Sequence, residues 1–225
     1  MITGIFFDAA DVFYARREST VVYAARLAAE NGYPVRLTAE DIAHNKVLRR
    51  QASNGQISTE AYWDAVLRTY GVETATERAT LTEQIMAQAD EVYPLPHAAE
   101  TARALKGRGF VLSIITDTIF PLARKMRWLE TIGVAEHVDY VACSTELGVH
   151  KPDPAIYRAA LAQAGIAVEH AAFVGHDTAE LAGARQAGMR TVAVFYGPDA
   201  QADYYVDSLP ALLDVPLFAA TGGRS

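Results

Sequence analysis

Apolar residues follow two rhythms along this chain, and the change from one to the other falls near Pro96. The opening run Ile2-Thr3-Gly4-Ile5-Phe6-Phe7 reads as a short buried strand, and it breaks off at the carboxylate of Asp8. Over 16–93 the rhythm is helical. Val22, Ala25, Leu27 and Ala28 recur at helical spacing, as do Ile42, Val47 and Leu48, and Thr38 with Asp41 resembles a capping box. Two further helices are expected over 58–70 and 76–91, with Gly32, Gly55 and Gly71 between segments and Pro94 and Pro96 closing the block. No strand is expected inside it.

Beyond Pro96 helix and strand alternate. Helices are expected over 98–106, 121–131, 154–164 and 179–187, and strands over 110–115, 138–142, 171–174 and 191–195. A last short strand at Tyr204-Tyr205-Val206 and a helix over 209–213 follow, then a low-complexity tail over 221–225. Such alternation is the pattern of a parallel sheet with crossover helices, so the fold class is α/β with a four-helix insert after the first strand. The expected domains are a core of 1–15 and 94–225 and a helical unit of 16–93.

Composition narrows the partners more than the fold. With 225 residues, 51% of them hydrophobic, the chain can bury one good core and a smaller satellite. A net charge of -7 gives nucleic acid and anionic membrane surfaces no electrostatic hold, which leaves small molecules and proteins. The single cysteine, Cys143, excludes an internal disulfide and a thiolate metal cluster, and the six histidines show no zinc spacing. No basic region precedes a long apolar stretch and no apolar run approaches the roughly 20 residues of a membrane span, so a soluble cytoplasmic protein is expected.

In a parallel sheet, successive strands deliver their C-terminal residues to one edge, where open α/β sheets bind ligands. That edge collects Asp8, Thr116, the loop with Lys151, and the run His176-Asp177-Thr178-Ala179-Glu180. Four stretches carry these residues: Phe6-Phe7-Asp8-Ala9-Ala10-Asp11-Val12, Ile114-Ile115-Thr116-Asp117-Thr118, Gly148-Val149-His150-Lys151-Pro152-Asp153-Pro154, and Phe173-Val174-Gly175-His176-Asp177 running into Gly183-Ala184. Taken together and in this order, they resemble the haloacid dehalogenase-like hydrolase superfamily over nearly the whole chain.

The resemblance implies a Rossmann-like core with a helical cap, and a hydrolase acting on a small metabolite, foremost a phosphatase. Asp8 is then the nucleophile that forms a covalent aspartyl intermediate, Thr116 holds a substrate oxygen, and Lys151 steadies the nucleophile and the developing charge. Asp117 and His176 are expected to face the substrate. The implied cofactor is Mg²⁺, with Asp8, the backbone carbonyl of Ala10 and Asp177 as its oxygen ligands.

Two departures from the family pattern open alternatives. Family phosphatases place a second Asp, the general acid and base, where this chain has Ala10, and Asp11 stands at the usual glycine position. The last motif has His176 directly after Gly175, where Asp is usual. Haloacid dehalogenases and phosphonoacetaldehyde hydrolases also lack the second Asp, which makes hydrolysis of a carbon–halogen or carbon–phosphorus bond the alternative. The phosphonatase reading needs a cap lysine, and Lys46 is the one candidate within 16–93, although a charged helix face shared with Arg49 and Arg50 explains it as well. A scaffold turned to binding or regulation is the non-enzymatic alternative.

Overall fold

The structure is a computed structural model that describes residues 1–219, so the 221–225 tail lies outside the described residues. In chain order the elements begin with β1 (Gly4–Phe7), β2 (Tyr14–Ala15), α1 (Thr20–Glu30), α2 (Ala39–Ser53), α3 (Thr59–Thr69), α4 (Ala75–Ala89) and β3 (Tyr93–Pro94). They continue with α5 (Ala98–Gly107), β4 (Val111–Thr116), α6 (Leu122–Thr131), β5 (Tyr140–Cys143), α7 (Ser144–Leu147) and α8 (Pro154–Ala164). The last are β6 (Ala171–Gly175), α9 (Thr178–Gln186), β7 (Arg190–Val194) and β8 (Tyr204–Val206).

Six strands form one parallel, Rossmann-like sheet in the order β5-β4-β1-β6-β7-β8. β1 lies in its middle, and all four of its residues are buried because helices cover both faces. Alternation along the strands sorts side chains between the faces. Ile5, Phe7, Leu112 and Ile114 join Leu105 of α5 and Leu129 of α6, while Phe6, Ile115 and Phe173 join Tyr157 of α8 and Leu181 of α9. From β1 the chain builds outward through β4 and β5, then returns to place β6 on the other side of β1. The direction reverses between β1 and β6, which is where such sheets leave a crevice at their carboxyl edge.

The four helices expected after the first strand are present as α1 to α4, each started by a Ser or Thr side chain that accepts from a backbone amide of the first turn. The Thr38–Asp41 capping box forms in both directions. Tyr62 and Trp63 are buried in α3 and serve packing. Pattern reading missed β2 and β3, which pair antiparallel as Tyr14↔Pro94 and Ala15↔Tyr93 and bracket the four helices like two arms. Two-residue strands have no period to detect. The expected 209–213 helix is a 3-10 helix, Pro210–Asp214. Among the described residues, no helix is long and apolar enough to cross a membrane.

Candidate active site

Asp8 follows the last paired residue of β1, and its amide continues the ladder by donating to the Val174 carbonyl at 3.0 Å. The carboxylate is therefore carried on a rigid central strand, 5% exposed, at the carboxyl edge. Thr116 ends β4 beside it, and Gly175 ends β6 on the other side. Lys151 reaches this point from the loop between α7 and α8. That loop is held by the Lys151 amide donating to Asp117 Oδ1 at 3.0 Å and by His150 Nδ1 paired with Asn54 Oδ1 at 2.7 Å. Helix α9 presses on the loop from below: a methyl added at Gly183 would lie 2.4 Å from the Pro152 carbonyl oxygen, so only glycine allows this approach.

Lys151 Nζ lies 2.6 Å from Asp8 Oδ1 and 2.7 Å from Glu180 Oε2, with its side chain 1% exposed. One ammonium thus serves two carboxylates in a dry setting. Burial opposes its charge, but Asp8 and then Glu180 more than offset that, and its affinity for the proton rises above that of a free lysine. Glu180 moves the other way from an ordinary carboxylate. Burial first, and then the charge of Asp8, push it up to about 8, against the pull of Lys151. Lys151 therefore keeps its charge at neutral pH, and Glu180 holds its proton up to about 8.

A carboxyl whose folded pKa is raised binds more protons folded than unfolded. Its contribution to stability is complete below the unfolded value of about 4.3 and is lost as pH rises through about 8. Glu180→Gln keeps a hydrogen-bonding oxygen near Lys151 but cannot titrate. Wild-type melting temperature should therefore fall between pH 5 and 8.5 relative to the variant, by a few °C at about 2–4 °C per kcal/mol for a chain of this size. Melting curves of both proteins across that interval check it, and parallel curves would remove Glu180 from this role.

The other expected residues are placed less uniformly. Thr116 is buried at its strand end, and its hydroxyl has one long contact, 3.5 Å to the Asp117 carbonyl. Asp117 is half-buried between Lys151 and the cleft, and burial, opposed by Lys151, raises its pKa. Asp11 adopts a left-handed backbone conformation, φ 57°, and is exposed at the rim. Lys46 is exposed in α2 beside Arg49 and Arg50, in a depression of about 400 Å³ that also reaches His150.

Of the side chains implied for Mg²⁺, Asp8 is engaged by Lys151 and Asp177 caps a helix. Asp177 is exposed and spends Oδ1 on the amides of Ala179 and Glu180, at 2.8 and 3.0 Å, as the N-cap of α9. His176 instead faces Asp8, with Nδ1 3.5 Å from Asp8 Oδ2, enclosed and without a hydrogen-bond partner. Mg²⁺ takes hard oxygen ligands in near-ideal octahedral geometry, whereas imidazole suits softer metals. Among the described residues no three or more His, Cys, Asp or Glu side chains are grouped to hold a metal ion. Asp8 Oδ2 and Asp177 Oδ2, neither spent on these hydrogen bonds, are the carboxylate oxygens that would hold Mg²⁺ together with the carbonyl of Ala10.

A cleft of about 540 Å³ is lined by Ala10, Asp117 and Thr118 at the sheet edge and by Arg49 of α2. Asp8, Thr116, Lys151 and His176 do not line it, and its three cations are Arg16, Arg49 and Lys125. Arg49 reads in the sequence as part of a charged helix face, and Lys125 draws no attention there. A signal existed, because Lys125 stands three and four residues before Trp128 and Leu129 and so falls on the buried stripe of α6.

The model of the haloacid dehalogenase-like hydrolase family matches residues 2–188. Phosphoserine phosphatase of Thermus thermophilus is 36% identical over 142 residues, 60% of this chain and 56% of that protein. Glyceraldehyde 3-phosphate phosphatase of Methanocaldococcus jannaschii is 26% identical over 230 residues, 96% of this chain and 97% of that one. The (S)-2-haloacid dehalogenase 4A of Burkholderia cepacia is 30% identical over 151 residues, 66% of this chain and 62% of that one. Thus the chain spans between half and two thirds of two of these relatives and nearly all of the third. A crystal structure of a dehalogenase superposes with a TM-score of 0.66 at 24% identity, covering 95% of this chain and 96% of its own.

Proposed function

From the premise that the chain belongs to the haloacid dehalogenase-like hydrolases, we propose that it hydrolyses a small phosphorylated metabolite whose leaving group departs without a proton, through a covalent intermediate on Asp8. The observation that carries this reading is the ammonium of Lys151 held 2.6 Å from Asp8 Oδ1, in a protein with a methyl group at position 10. Lys151 occupies one carboxylate oxygen and leaves Oδ2 as the attacking atom. Oδ2 forms a bond to phosphorus, the leaving group departs with its electron pair, and Thr116 with the neighbouring loop amides supports the oxygens. Water then attacks the phosphorus of this acyl phosphate, the bond from phosphorus to Asp8 Oδ2 breaks, and inorganic phosphate leaves as the Asp8 carboxylate is regenerated. His176, next to Oδ2, is the group placed to take the proton from that water.

Phosphatases of this family generally use Mg²⁺. Lys151, 2.6 Å from Asp8, is this chain's own cation for the phosphoryl charge. The absent acid at Ala10 is also the specific observation favouring a second reading, displacement of halide from a small haloacid. Both readings use the same carboxylate and the same unaided departure. The four helices α1–α4, bracketed by β2 and β3, serve as the cap over the cleft in either.

Leaving-group dependence tests the first reading. General acid catalysis contributes roughly 10²–10⁴-fold, so an alkyl phosphate should trail an aryl or acyl phosphate by more than chemistry alone dictates, and Ala10→Asp should recover much of that loss for the alkyl substrate only. The comparison is kcat/KM for the aryl and alkyl phosphate in both proteins, with Mg²⁺ and with chelator, alongside halide release from a 2-haloacid. An unchanged aryl-to-alkyl ratio in the variant removes the account of position 10. Halide without phosphate transfers the assignment to the second reading.

A further inference from the structure

Lys125 and Arg16 are the cations of the molecule hardest to explain by folding. Lys125 is 3% exposed, and its Nζ hydrogen-bonds to the Tyr14 hydroxyl at 2.6 Å, over the rings of Tyr14 and Trp128. Arg16 lays its guanidinium 4.3 Å from the Trp128 ring centroid and donates Nε to the Ala89 carbonyl at 2.9 Å, while its Nη2 is enclosed without a partner. Neither cation makes an ion pair among the described residues. The nearby Asp90 is engaged by Trp128 Nε1 at 2.7 Å and by Arg124 at 3.4 Å, and Asp11 is exposed at the rim.

A buried charge without a counter-charge is expensive, and removing its solvent is tolerated where an ion of the opposite sign completes the site. The helix worsens the imbalance. Lys125 lies in the first turns of α6, whose N-terminal end is already positive and has neither an acidic residue in its first turn nor a side-chain cap. Both cations line the cleft that reaches Ala10 and Asp117, so the missing anion arrives from the ligand space.

We propose that Lys125 and Arg16 form an oxyanion subsite on the wall of the cleft away from Asp8, and that the substrate is a small organic acid carrying a carboxylate in addition to its reacting group. This rests on the reading of the cleft as the substrate site. A carboxylate fits both donors: it accepts from the free Nη2 of Arg16 and from the ammonium of Lys125, and the aromatic floor excludes water from the pair.

Binding of non-hydrolysable ligands tests this apart from turnover. The probes are ω-carboxyalkyl phosphonates with two to four methylenes and the alkyl phosphonates lacking the carboxylate, titrated by calorimetry into wild type, Lys125→Met and Arg16→Met. For at least one chain length the carboxylate should improve wild-type affinity about tenfold or more, and this gain should shrink to about twofold or less in either variant. Since Met fills the volume of the lysine stem without its charge, Lys125→Met should also melt no lower than wild type in the absence of ligand. A wild type that ignores the carboxylate at every length overturns the proposal, as does a gain retained in both variants. A steep fall in melting temperature would make the Lys125 ammonium a structural partner of Tyr14 and overturn its share, and Arg16→Met then decides the rest by the same affinity ratio. If Asp8→Asn left the rate intact, the hydrolase reading would fall while this ratio stood.

Discussion

Asp8→Asn is expected to lower turnover by at least about 10³-fold while leaving the melting temperature within a few °C of wild type. Loss of an attacking group in a covalent mechanism costs far more than loss of one hydrogen bond, because an amide oxygen does not replace a carboxylate as nucleophile. The fold should tolerate the change for an electrostatic reason. Lys151 retains Glu180 at 2.7 Å, and with the charge of Asp8 gone, Glu180 loses one of the influences that raise its pKa, so it pairs more readily with the ammonium. Turnover and a thermal melt on one preparation give the answer. A rate within tenfold of wild type at an unchanged melt excludes attack by Asp8.

Lys151→Met should be the most damaging single change at the site, and its damage should depend on pH. Removing the cation leaves two carboxylates sharing a buried pocket, and breaking such an arrangement costs about 3–5 kcal/mol. Each carboxyl can escape by taking a proton, so both folded pKa values should lie above the unfolded ones. Stability contributed by a raised carboxyl is present below the unfolded value and lost as pH rises through the folded value. The melting deficit of the variant should accordingly be small near pH 5 and largest above pH 8, where wild type still has its ammonium. Turnover should fall by about 10²-fold or more at every pH, since Lys151 is the ammonium that meets the charge developing at Asp8. A deficit that is constant from pH 5 to 9 would mean that Lys151 stabilises by packing.

Much of this molecule was legible before any coordinates. Apolar runs that end abruptly marked β1, β4 and β6, because a strand buried on both faces has no polar residues to alternate with. The capping box of Thr38 and Asp41 was equally readable, since the bond from an N-cap side chain to an amide three residues on is local. The strand tips delivered Asp8 and Thr116 to one edge as expected, and Lys151 was placed with them by its loop.

What the pattern could not reveal was how the charges pair. The bond from Lys151 to Asp8 joins residues 143 positions apart, and that from Lys125 to Tyr14 joins residues 111 apart. Glu180 was visible only as one carboxylate in a run, and Asp177 was the one expected at the cation. The first turn of α9 reverses those roles, turning Asp177 to the helix amides and Glu180 to Lys151. Sequence by itself determined the parallel sheet, its buried faces and the edge where Asp8 stands, because these follow from periodicities that repeat within each element. Tertiary structure alone decided which carboxylate shares the ammonium and which cations face the cleft unpaired, because those depend on where separate elements bring their side chains and on how much water their packing removes.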